Sequence, residues 1–429
     1  MVMKAATHYQ GLVVAGFGAV GRSLFAIGDP SLDSFAEILV IDRGPAPAAH
    51  QLPPGARFIT GDISDGKWLT ARLDTLARPA LFVSLCSGVD NVRIRRLLAR
   101  HDIAYLDSCC CAPQGSREVR FSRMMPYTKT PVRSSRPQWL CWGINPGLVE
   151  LVARKLMAGF AGPEGDFSVT IYEHDQLAGR NGAIVSWCPE ALIEEVMQSP
   201  TLECGAGRLV EETGTGARKV MACWAGQPVA SRVVGHEDIW NIGQLPAVRQ
   251  ARFIYGLQPR IMEIFEQDID QARRLLKMAE PGAPIFGLER IAVSVRSGVS
   301  GRERAMIWQE DHHDIWRRYG INAVQYQTGK AILLALRLLQ FTRFGVLAGE
   351  YCAADLPLIP EEWLLLDRFM RELHINWQDA GHAAPQLCPH PAADCCDRSQ
   401  EPGARRQKSE AGAGSRKRPV CGFLPAPEF

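Results

Sequence analysis

The sequence has 429 residues, enough for two domains of ordinary size, and its hydrophobic and charged fractions of 46% and 22% are typical of a globular protein. Its net charge of +2 gives no reason to expect a nucleic acid or an anionic membrane as a partner. The apolar run at 331–339 is shorter than the roughly 20 residues that span a bilayer, and the first ten residues lack the apolar stretch of a secretory signal. We therefore expect a cytoplasmic protein.

Residues 1–145 alternate between short apolar runs and helical segments, with one amphipathic helix predicted at 92–100. This alternation predicts a Rossmann-type α/β domain with a doubly wound parallel sheet. The predicted strands are 12–15, 38–41, 56–60, 81–85 and 103–106.

A glycine-rich turn lies between the first predicted strand and the helix that follows it. Gly16 would allow a tight turn, Gly18 would let a pyrophosphate approach the backbone, and Gly21 would let the helix pack on the strand. The N–H groups that begin the helix favour a phosphate there. We therefore predict that a dinucleotide contacts Gly16, Phe17, Gly18, Ala19, Val20 and Gly21.

Two acidic residues complete the predicted cofactor site. Asp42 ends the second strand, where a carboxylate accepts hydrogen bonds from the ribose hydroxyls and repels a 2′-phosphate, so NAD is favoured over NADP. Arg43 weakens this preference because a guanidinium can meet a 2′-phosphate. Asp62 follows the third strand and is placed to reach the adenine.

Residues 146–325 predict a second domain of α+β type, with a helix at 148–158 and strands of a mixed sheet at 169–173 and 291–295. Residues 326–379 contain long apolar helices, which we expect to pack back on the first domain. Residues 380–429 are rich in Pro, Ala, Gly, Ser and Arg, so we predict a disordered tail.

Three stretches carry candidate chemistry. Asn145 lies in an Asn-Pro-Gly run that joins the two domains, although this run is also a strong turn signal. Trp187, together with Glu173 and Glu195, could form a cage for an organic cation, or could be a core tryptophan beside a solvated acidic face. The adjacent pair of His236 and Glu237 could shuttle protons or belong to a surface turn.

Thirteen cysteines, an odd count scattered through the chain, favour reduced thiols over a disulfide framework. Cys109, Cys110 and Cys111 are consecutive, and adjacent side chains of an extended segment point to opposite faces. They cannot easily hold one metal ion together, and we predict no metal site.

Six segments, in order from residue 11 to residue 355, read GFGAVGRS, YLDS, INPGLVELVARKL, VSWCPEALIEE, INAVQYQTGKAILLAL and GVLAGEYC. Together they resemble bacterial homospermidine synthase, within the saccharopine-dehydrogenase-like group. The resemblance implies a homodimeric enzyme that holds NAD, with residues 146–325 binding the substrate and forming the dimer interface. Such an enzyme oxidises putrescine to an imine, exchanges the amine for a second diamine and reduces the product to homospermidine, with NAD taking and returning the hydride.

The resemblance also implies roles for individual residues. Trp187 matches the tryptophan that binds the cationic intermediate, and Glu173 and Glu195 match acids of the diamine pocket. Asn145 matches the asparagine of the family's Asn-Pro-Gly motif. Asn322 matches the asparagine that opens the late helix, and we predict that it contacts the cofactor.

The chain departs from the family pattern at three positions. Gly88 and Cys111 stand where the family has acids, and the family's His-Gly-Glu appears as Gly-His236-Glu237. The loss of two carboxylates leads to the hypothesis that the cofactor chemistry is kept while the bound amine differs and is less cationic. Two alternatives are a saccharopine-dehydrogenase-like enzyme that reduces an imine between an amine and a keto acid, and an NAD-binding protein without catalysis.

Overall fold

The computed structural model describes most of the first 388 residues, and these belong to a structural unit that ends at Pro389. The described residues are 8–110, 131–160, 165–179, 183–199, 201–205, 208–211, 216–280, 282–381 and 384–388. In chain order, the strands are β1 (Gly11–Ala15), β2 (Glu37–Asp42), β3 (Arg57–Thr60), β4 (Ala80–Ser84), β5 (Ala104–Asp107), β6 (Pro137–Trp139), β7 (Phe167–Asp175), β8 (Ala178–Gly179), β9 (Ile184–Val185), β10 (Leu202–Gly205), β11 (Arg208–Glu211), β12 (Arg218–Trp224), β13 (Gln227–Val234), β14 (Val248–Leu257), β15 (Lys277–Met278), β16 (Ile285–Phe286), β17 (Leu288–Ser297), β18 (Glu303–Asp311), β19 (Gly349–Tyr351), β20 (Gln378–Asp379) and β21 (Gln386–Leu387).

Helices alternate with the strands of the N-terminal half and dominate the segment after residue 311. Asp65 and Asp90 begin two of them as N-caps, because each carboxylate accepts backbone N–H groups of the first helical turn. The α-helices are α1 (Ala19–Ile27), α2 (Gly66–Leu73), α3 (Asn91–Arg100), α4 (Leu148–Ala158), α5 (Pro189–Ile193), α6 (Glu237–Gly243), α7 (Pro259–Ile264), α8 (Ile269–Leu275), α9 (His312–Tyr319), α10 (Ala323–Phe341) and α11 (Pro360–Glu372).

Within the described residues, seven strands form a parallel sheet in the order β19-β6-β5-β4-β1-β2-β3. The central strands β1 and β4 are buried along their whole length, as apolar strands covered on both faces should be. The strand order reverses between β1 and β4, and the crevice outside the strand ends at such a reversal is where open α/β sheets bind ligands. The predicted Rossmann-type sheet is confirmed.

A mixed sheet of ten strands, counted over the described part of the chain, forms the second layer. Its main path is β20-β18-β17-β7-β14-β13-β12-β21; β10 pairs with β14, and β11 pairs with β10. β7 pairs with β14 in parallel and with β17 in antiparallel orientation. β7 therefore lies inside the mixed sheet, and the side chains at its carboxyl end are buried.

The late helix α10 lies against α1, and α11 lies against α10. At Gly329 a side chain would meet Ser23 Oγ at 2.5 Å, so the two helices approach each other closely. The same segment also contains two short strands that its apolar pattern did not predict. β19 joins the parallel sheet beside β6, and β20 joins the mixed sheet beside β18. Among the described residues, no helix combines the length and apolar character needed to cross a membrane.

The predicted start of the disordered tail at residue 380 is wrong. Gln386 and Leu387 form β21, which pairs in antiparallel orientation with Cys223 and Ala222 of β12. An edge strand offers unpaired N–H and C=O groups to any extended segment, so a polar, proline-rich composition does not prevent pairing. Residues 389–429 lie outside the described residues.

Candidate functional site

The glycine turn has the geometry that its sequence predicts. Gly16 has a φ of 101°, and a side chain there would lie 2.7 Å from the Leu85 carbonyl oxygen. A side chain at Gly21 would collide with the Gly16 carbonyl oxygen. At Gly18, in contrast, a Cβ would find no atom within 4 Å. Gly18 therefore faces open space directly before α1, as the close approach of a pyrophosphate requires.

Asp42 lies against this turn at the carboxyl end of β2. Its Oδ2 accepts a hydrogen bond from the Phe17 N–H at 2.6 Å, and its Oδ1 accepts one from the Gly44 N–H at 2.7 Å. Asp62 is exposed after the neighbouring strand β3 and accepts a hydrogen bond from the Ser64 N–H at 2.8 Å. The structure thus places Asp42 at the turn and Asp62 on the same edge of the sheet, where the sequence predicted them.

A group of buried acidic side chains around His236, here called the acid cluster, lies at the end of the mixed sheet that meets the carboxyl edge of the parallel sheet. Each member is at most 5% exposed. The acid cluster consists of Glu173 and Asp175 on β7, Glu195 in the π-helical turn after α5, Glu237 and Asp238 on α6, and Glu289 on β17.

His236 contacts three of these acids. Its Nδ1 lies 3.1 Å from Asp238 Oδ1 and 3.8 Å from Glu237 Oε2, and its Nε2 lies 3.8 Å from Glu195 Oε1. The ring stacks on Phe253 with a centroid distance of 4.7 Å. The one-residue displacement from the family pattern therefore leaves His236 among carboxylates, where it can exchange protons with its neighbours.

Glu173 has the most informative electrostatics of the acid cluster. Burial and the neighbouring Asp175 raise the pKa of Glu173 to about 8, against the opposing effects of His236 and of a hydrogen bond from Asn145 Nδ2 to Glu173 Oε2. The carboxyl group is therefore mostly protonated at neutral pH in the folded, ligand-free chain. A cation placed beside it would favour its ionised form.

Glu289 was missed by the sequence analysis. It lies opposite Asp175 in the β17–β7 register and is 1% exposed. Burial, followed by Glu173 and Asp175, raises its pKa well above the usual value, and its Oε2 has no hydrogen-bond partner among the described residues. The sequence contained a signal for this position, because Glu289 alternates along β17 with Ile291 and Val293, and all three side chains are buried on the same face of the strand.

Trp187 is half-buried and donates a hydrogen bond from its indole Nε1 to the hydroxyl of Tyr255 at 3.0 Å. Burial raises the pKa of Tyr255, and Glu173 is the next contributor. The indole and the phenol thus lie in the electrostatic neighbourhood of the acid cluster. A half-exposed aromatic face beside buried carboxyl groups is an arrangement that binds organic cations.

Two contacts join the acid cluster to the parallel sheet. The Cys110 N–H, just after β5, donates to Glu237 Oε1 at 3.2 Å. Asn145, in the connection that leaves β6, donates to Glu173. The acid cluster therefore lies at the carboxyl edge of the parallel sheet. Of the two positions where the family has acids, Gly88 lies in a loop after β4 with a φ of 73°, and Cys111 lies outside the described residues.

Asn322 is the N-cap of α10 and is 4% exposed. Its Oδ1 accepts a hydrogen bond from Gln325 N–H at 2.9 Å, and its Nδ2 donates to the Ser186 carbonyl oxygen at 2.7 Å. Both polar atoms of the side chain are therefore engaged within the chain. The predicted contact between Asn322 and the cofactor stays a prediction.

Asp175, Glu289 and His312 have ligand atoms within 4.8 Å of one another, close enough to consider a metal ion. However, His312 Nδ1 accepts the Ala323 N–H at 3.1 Å, which assigns the ring proton to Nε2, and Nε2 donates to Asp175 Oδ1 at 3.1 Å. In this tautomer neither ring nitrogen has a lone pair left for a metal. Asp175 and His312 therefore form a hydrogen-bonded carboxylate–histidine pair.

The fold and the glycine turn define a Rossmann-type α/β protein with a second, mixed-sheet layer. No protein-family model matches the sequence, and no curated protein matches it. The structure is similar to the homospermidine synthase of Legionella pneumophila in complex with NAD, with a TM-score of 0.69, 12% sequence identity, and coverage of 88% of this chain and 91% of that chain. At this identity the likeness shows the fold alone, and it confirms the predicted fold class.

Two further structures are more distant. The DAP dehydrogenase of C. glutamicum in complex with DAP has a TM-score of 0.39 and 9% identity, over 83% of this chain and 98% of that chain. GenD2 from gentamicin A biosynthesis, in complex with NAD, has a TM-score of 0.37 and 11% identity, over 91% of this chain and 100% of that chain. Neither likeness carries an argument about this chain.

Proposed function

We propose that the protein is an NAD-dependent enzyme that oxidises a cationic amine to an imine, exchanges the amine and reduces the product, as a homospermidine synthase does. One observation carries the proposal. Glu173 and Glu289 are carboxyl groups on adjacent strands beside the pair of Trp187 and Tyr255, and burial raises the pKa of both acids. Such a site is complementary to an ammonium group.

The energetics favour an amine over an anionic substrate. A buried carboxylate without a partner costs several kcal/mol, and a bound ammonium would offset that cost while being desolvated itself. A keto acid would add negative charge beside Glu173 and Glu289, where like charges repel. Glu289 also adds an acid that the hypothesis of a less cationic amine did not count, so putrescine is the first substrate to test.

The carboxyl edge of the parallel sheet, where the glycine turn and Asp42 lie, fits NAD. The open space at Gly18 leaves room for the pyrophosphate, and Asp42 lies beside the turn where it can accept hydrogen bonds from the ribose. When bound, NAD supplies the hydride acceptor and returns the hydride later. Asp42 would need to exchange its contacts with backbone N–H groups for contacts with ribose hydroxyls.

The chain's own residues would orient the amine and move its protons. Trp187 would hold the positive charge against its indole face, and Glu173 would accept a proton from the ammonium, because a pKa of about 8 suits a base that works near neutral pH. His236 would pass protons among the surrounding carboxylates. Loss of one N–H proton and then of the C–H hydride would convert the ammonium to the protonated imine, and loss of a second N–H proton would give the imine.

Mass spectrometry of products, after incubation with NAD and putrescine, tests the proposal. We expect homospermidine and no net NADH, because the cofactor is recycled. Net consumption of NAD(P)H with an amine and a keto acid would support the saccharopine-dehydrogenase-like alternative. Tight NAD binding without turnover across a panel of diamines would support a binding protein. The implied homodimer is proposed as well, and light scattering of the purified protein measures it.

A matched pair of variants separates the aromatic face from the fold. Trp187→Phe keeps an aromatic face and Trp187→Ala removes it, so we expect the larger loss in the alanine variant. A cation–π contact of about 1–2 kcal/mol corresponds to a loss of about five- to thirtyfold in kcat/KM. Equal activity of both variants and the unsubstituted protein would contradict the role of Trp187.

A further inference from the structure

We propose that Ser186 is a positioning residue: held by Asp175 and Asn322, it fixes the orientation of the neighbouring Trp187 indole. This inference rests on the proposed role of Trp187 as the cation-binding face. It assigns Asn322 a function in the substrate half of the site. It also gives Asp175 a role distinct from that of the other acids of the cluster.

Ser186 is fully buried and is held through both its side chain and its backbone. Its hydroxyl donates to Asp175 Oδ2 at 2.5 Å. Its carbonyl oxygen accepts the Asn322 amide at 2.7 Å and the Gln325 amide at 3.4 Å. A residue held through both groups has little freedom to rotate, and the peptide that leads into Trp187 shares this restriction.

The groups that hold Ser186 are themselves fixed. Asp175 accepts hydrogen bonds from the Leu177 N–H at 2.9 Å and from His312 Nε2 at 3.1 Å, and these bonds with the one from Ser186 lower its pKa despite its burial. His312 is in turn held by the Ala323 N–H. Strand β7, helix α9 and the start of α10 therefore converge on one peptide.

This arrangement differs from a nucleophilic triad. In such a triad the serine donates to the histidine, which donates to the aspartate. Here Ser186 and His312 both donate to Asp175, so the histidine does not accept the proton of the Ser186 hydroxyl. The hydrogen bonds suit a structural anchor.

The indole of Trp187 is held from its other side as well. Its Nε1 donates to the Tyr255 hydroxyl on β14. The backbone anchor at Ser186 and the bond to Tyr255 thus fix both ends of the side chain. A cation–π contact depends on the angle and distance of the aromatic face, so release of the anchor weakens the contact without removing the ring.

Two variants test the anchor from opposite sides. Ser186→Ala removes the bond to Asp175. Asn322→Ser keeps a hydroxyl oxygen to cap α10 but removes the amide donor to Ser186, so it separates capping from anchoring. Ser297→Ala is the matched control, because Ser297 is also fully buried and accepts local backbone hydrogen bonds, but at the far end of β17.

The first readout is fluorine NMR of the full chain labelled with 5-fluorotryptophan, with the Trp187 resonance assigned by its loss in Trp187→Phe. We expect this resonance to shift or split in Ser186→Ala and in Asn322→Ser and to stay unchanged in Ser297→Ala. An unchanged Trp187 resonance in either folded anchor variant would overturn the proposal. Ser186→Thr, which keeps the hydroxyl, should restore the original resonance.

The second readout is steady-state kinetics with NAD and putrescine. Loss of one hydrogen bond should raise the KM for putrescine about three- to tenfold while the Kd for NAD stays within about twofold. A raised Kd for NAD in Asn322→Ser, with Trp187 unmoved, would instead assign Asn322 to the cofactor and overturn the anchor. If the unsubstituted protein fails to convert any diamine, the proposed function fails, and the fluorine signal still decides the anchor.

Discussion

Replacement of Glu173 by glutamine should make the ligand-free protein more stable at alkaline pH while it abolishes amine turnover. The pKa of Glu173 is raised to about 8 in the folded chain by burial and by Asp175, from a usual value of 4.5. Between these two values the folded chain keeps a proton that the unfolded chain has lost. The free energy of unfolding therefore falls as the pH rises from about 4.5 to about 8.

The size of the effect follows from the shift. A difference between 4.5 and about 8 corresponds to a loss of stability on the order of 5 kcal/mol once the pH exceeds the higher value. The glutamine side chain of Glu173→Gln would be neutral at every pH and could still accept the hydrogen bond from Asn145. The difference in stability between the two proteins should therefore be small near pH 5 and largest near pH 9.

Urea unfolding at pH 5, 7 and 9, without ligand, measures this difference. The control is Glu263→Gln, which removes an exposed carboxylate from α7 and should follow the unsubstituted protein at each pH. Parallel stability curves for Glu173→Gln and the unsubstituted protein would refute the reasoning, because Glu173 would then titrate in the folded chain as it does in the unfolded chain.

Further outcomes are expected for five variants. Gly18→Ala should not change the stability of the protein, because no atom lies within 4 Å of the added methyl group, but it should weaken NAD binding about tenfold in calorimetry. Gly21→Ala should lower the melting temperature, because its methyl group collides with the turn. Asp42→Ala should reduce the preference for NAD over NADP in a comparison of the two Kd values. A chain that ends at Pro389 should melt within about 2 °C of the full chain. Further removal of Gln386–Leu387 should lower the melting temperature, because β12 loses its neighbouring strand.

The sequence predicted the first half of the fold well because its signals are local. The glycine turn, the apolar strands and the acid at Asp42 all fall within about 30 consecutive residues, and their spacing alone is diagnostic. β19 and β21 could not be predicted in the same way. Each is only two or three residues long and is a strand because an edge of an existing sheet is available to it.

The residues of the candidate site could be predicted in part, but their contacts with one another could not. Trp187, Glu173 and Glu195 could be named from their residue types and from the family resemblance. Their relation to Glu289 depends on the register of β17 against β7, which pairs Glu289 with Asp175. Asn322 could be named as well, but its partner could not, because the bond from its amide to Ser186 joins segments that are distant in sequence.

The presence of Glu173 and Glu289 at inward positions of two adjacent strands bears on function. Amide or apolar side chains of similar size would avoid the desolvation cost and the mutual repulsion of the two acids, so the fold does not require them. Groups that reduce stability in the free protein and lie at the carboxyl edge of the parallel sheet are consistent with the proposed function, in which a bound ligand compensates them. An amine carries the compensating charge. Its binding would stabilise the protein by favouring the ionised form of Glu173, and this stabilisation should be greatest at the alkaline pH where the free protein is weakest.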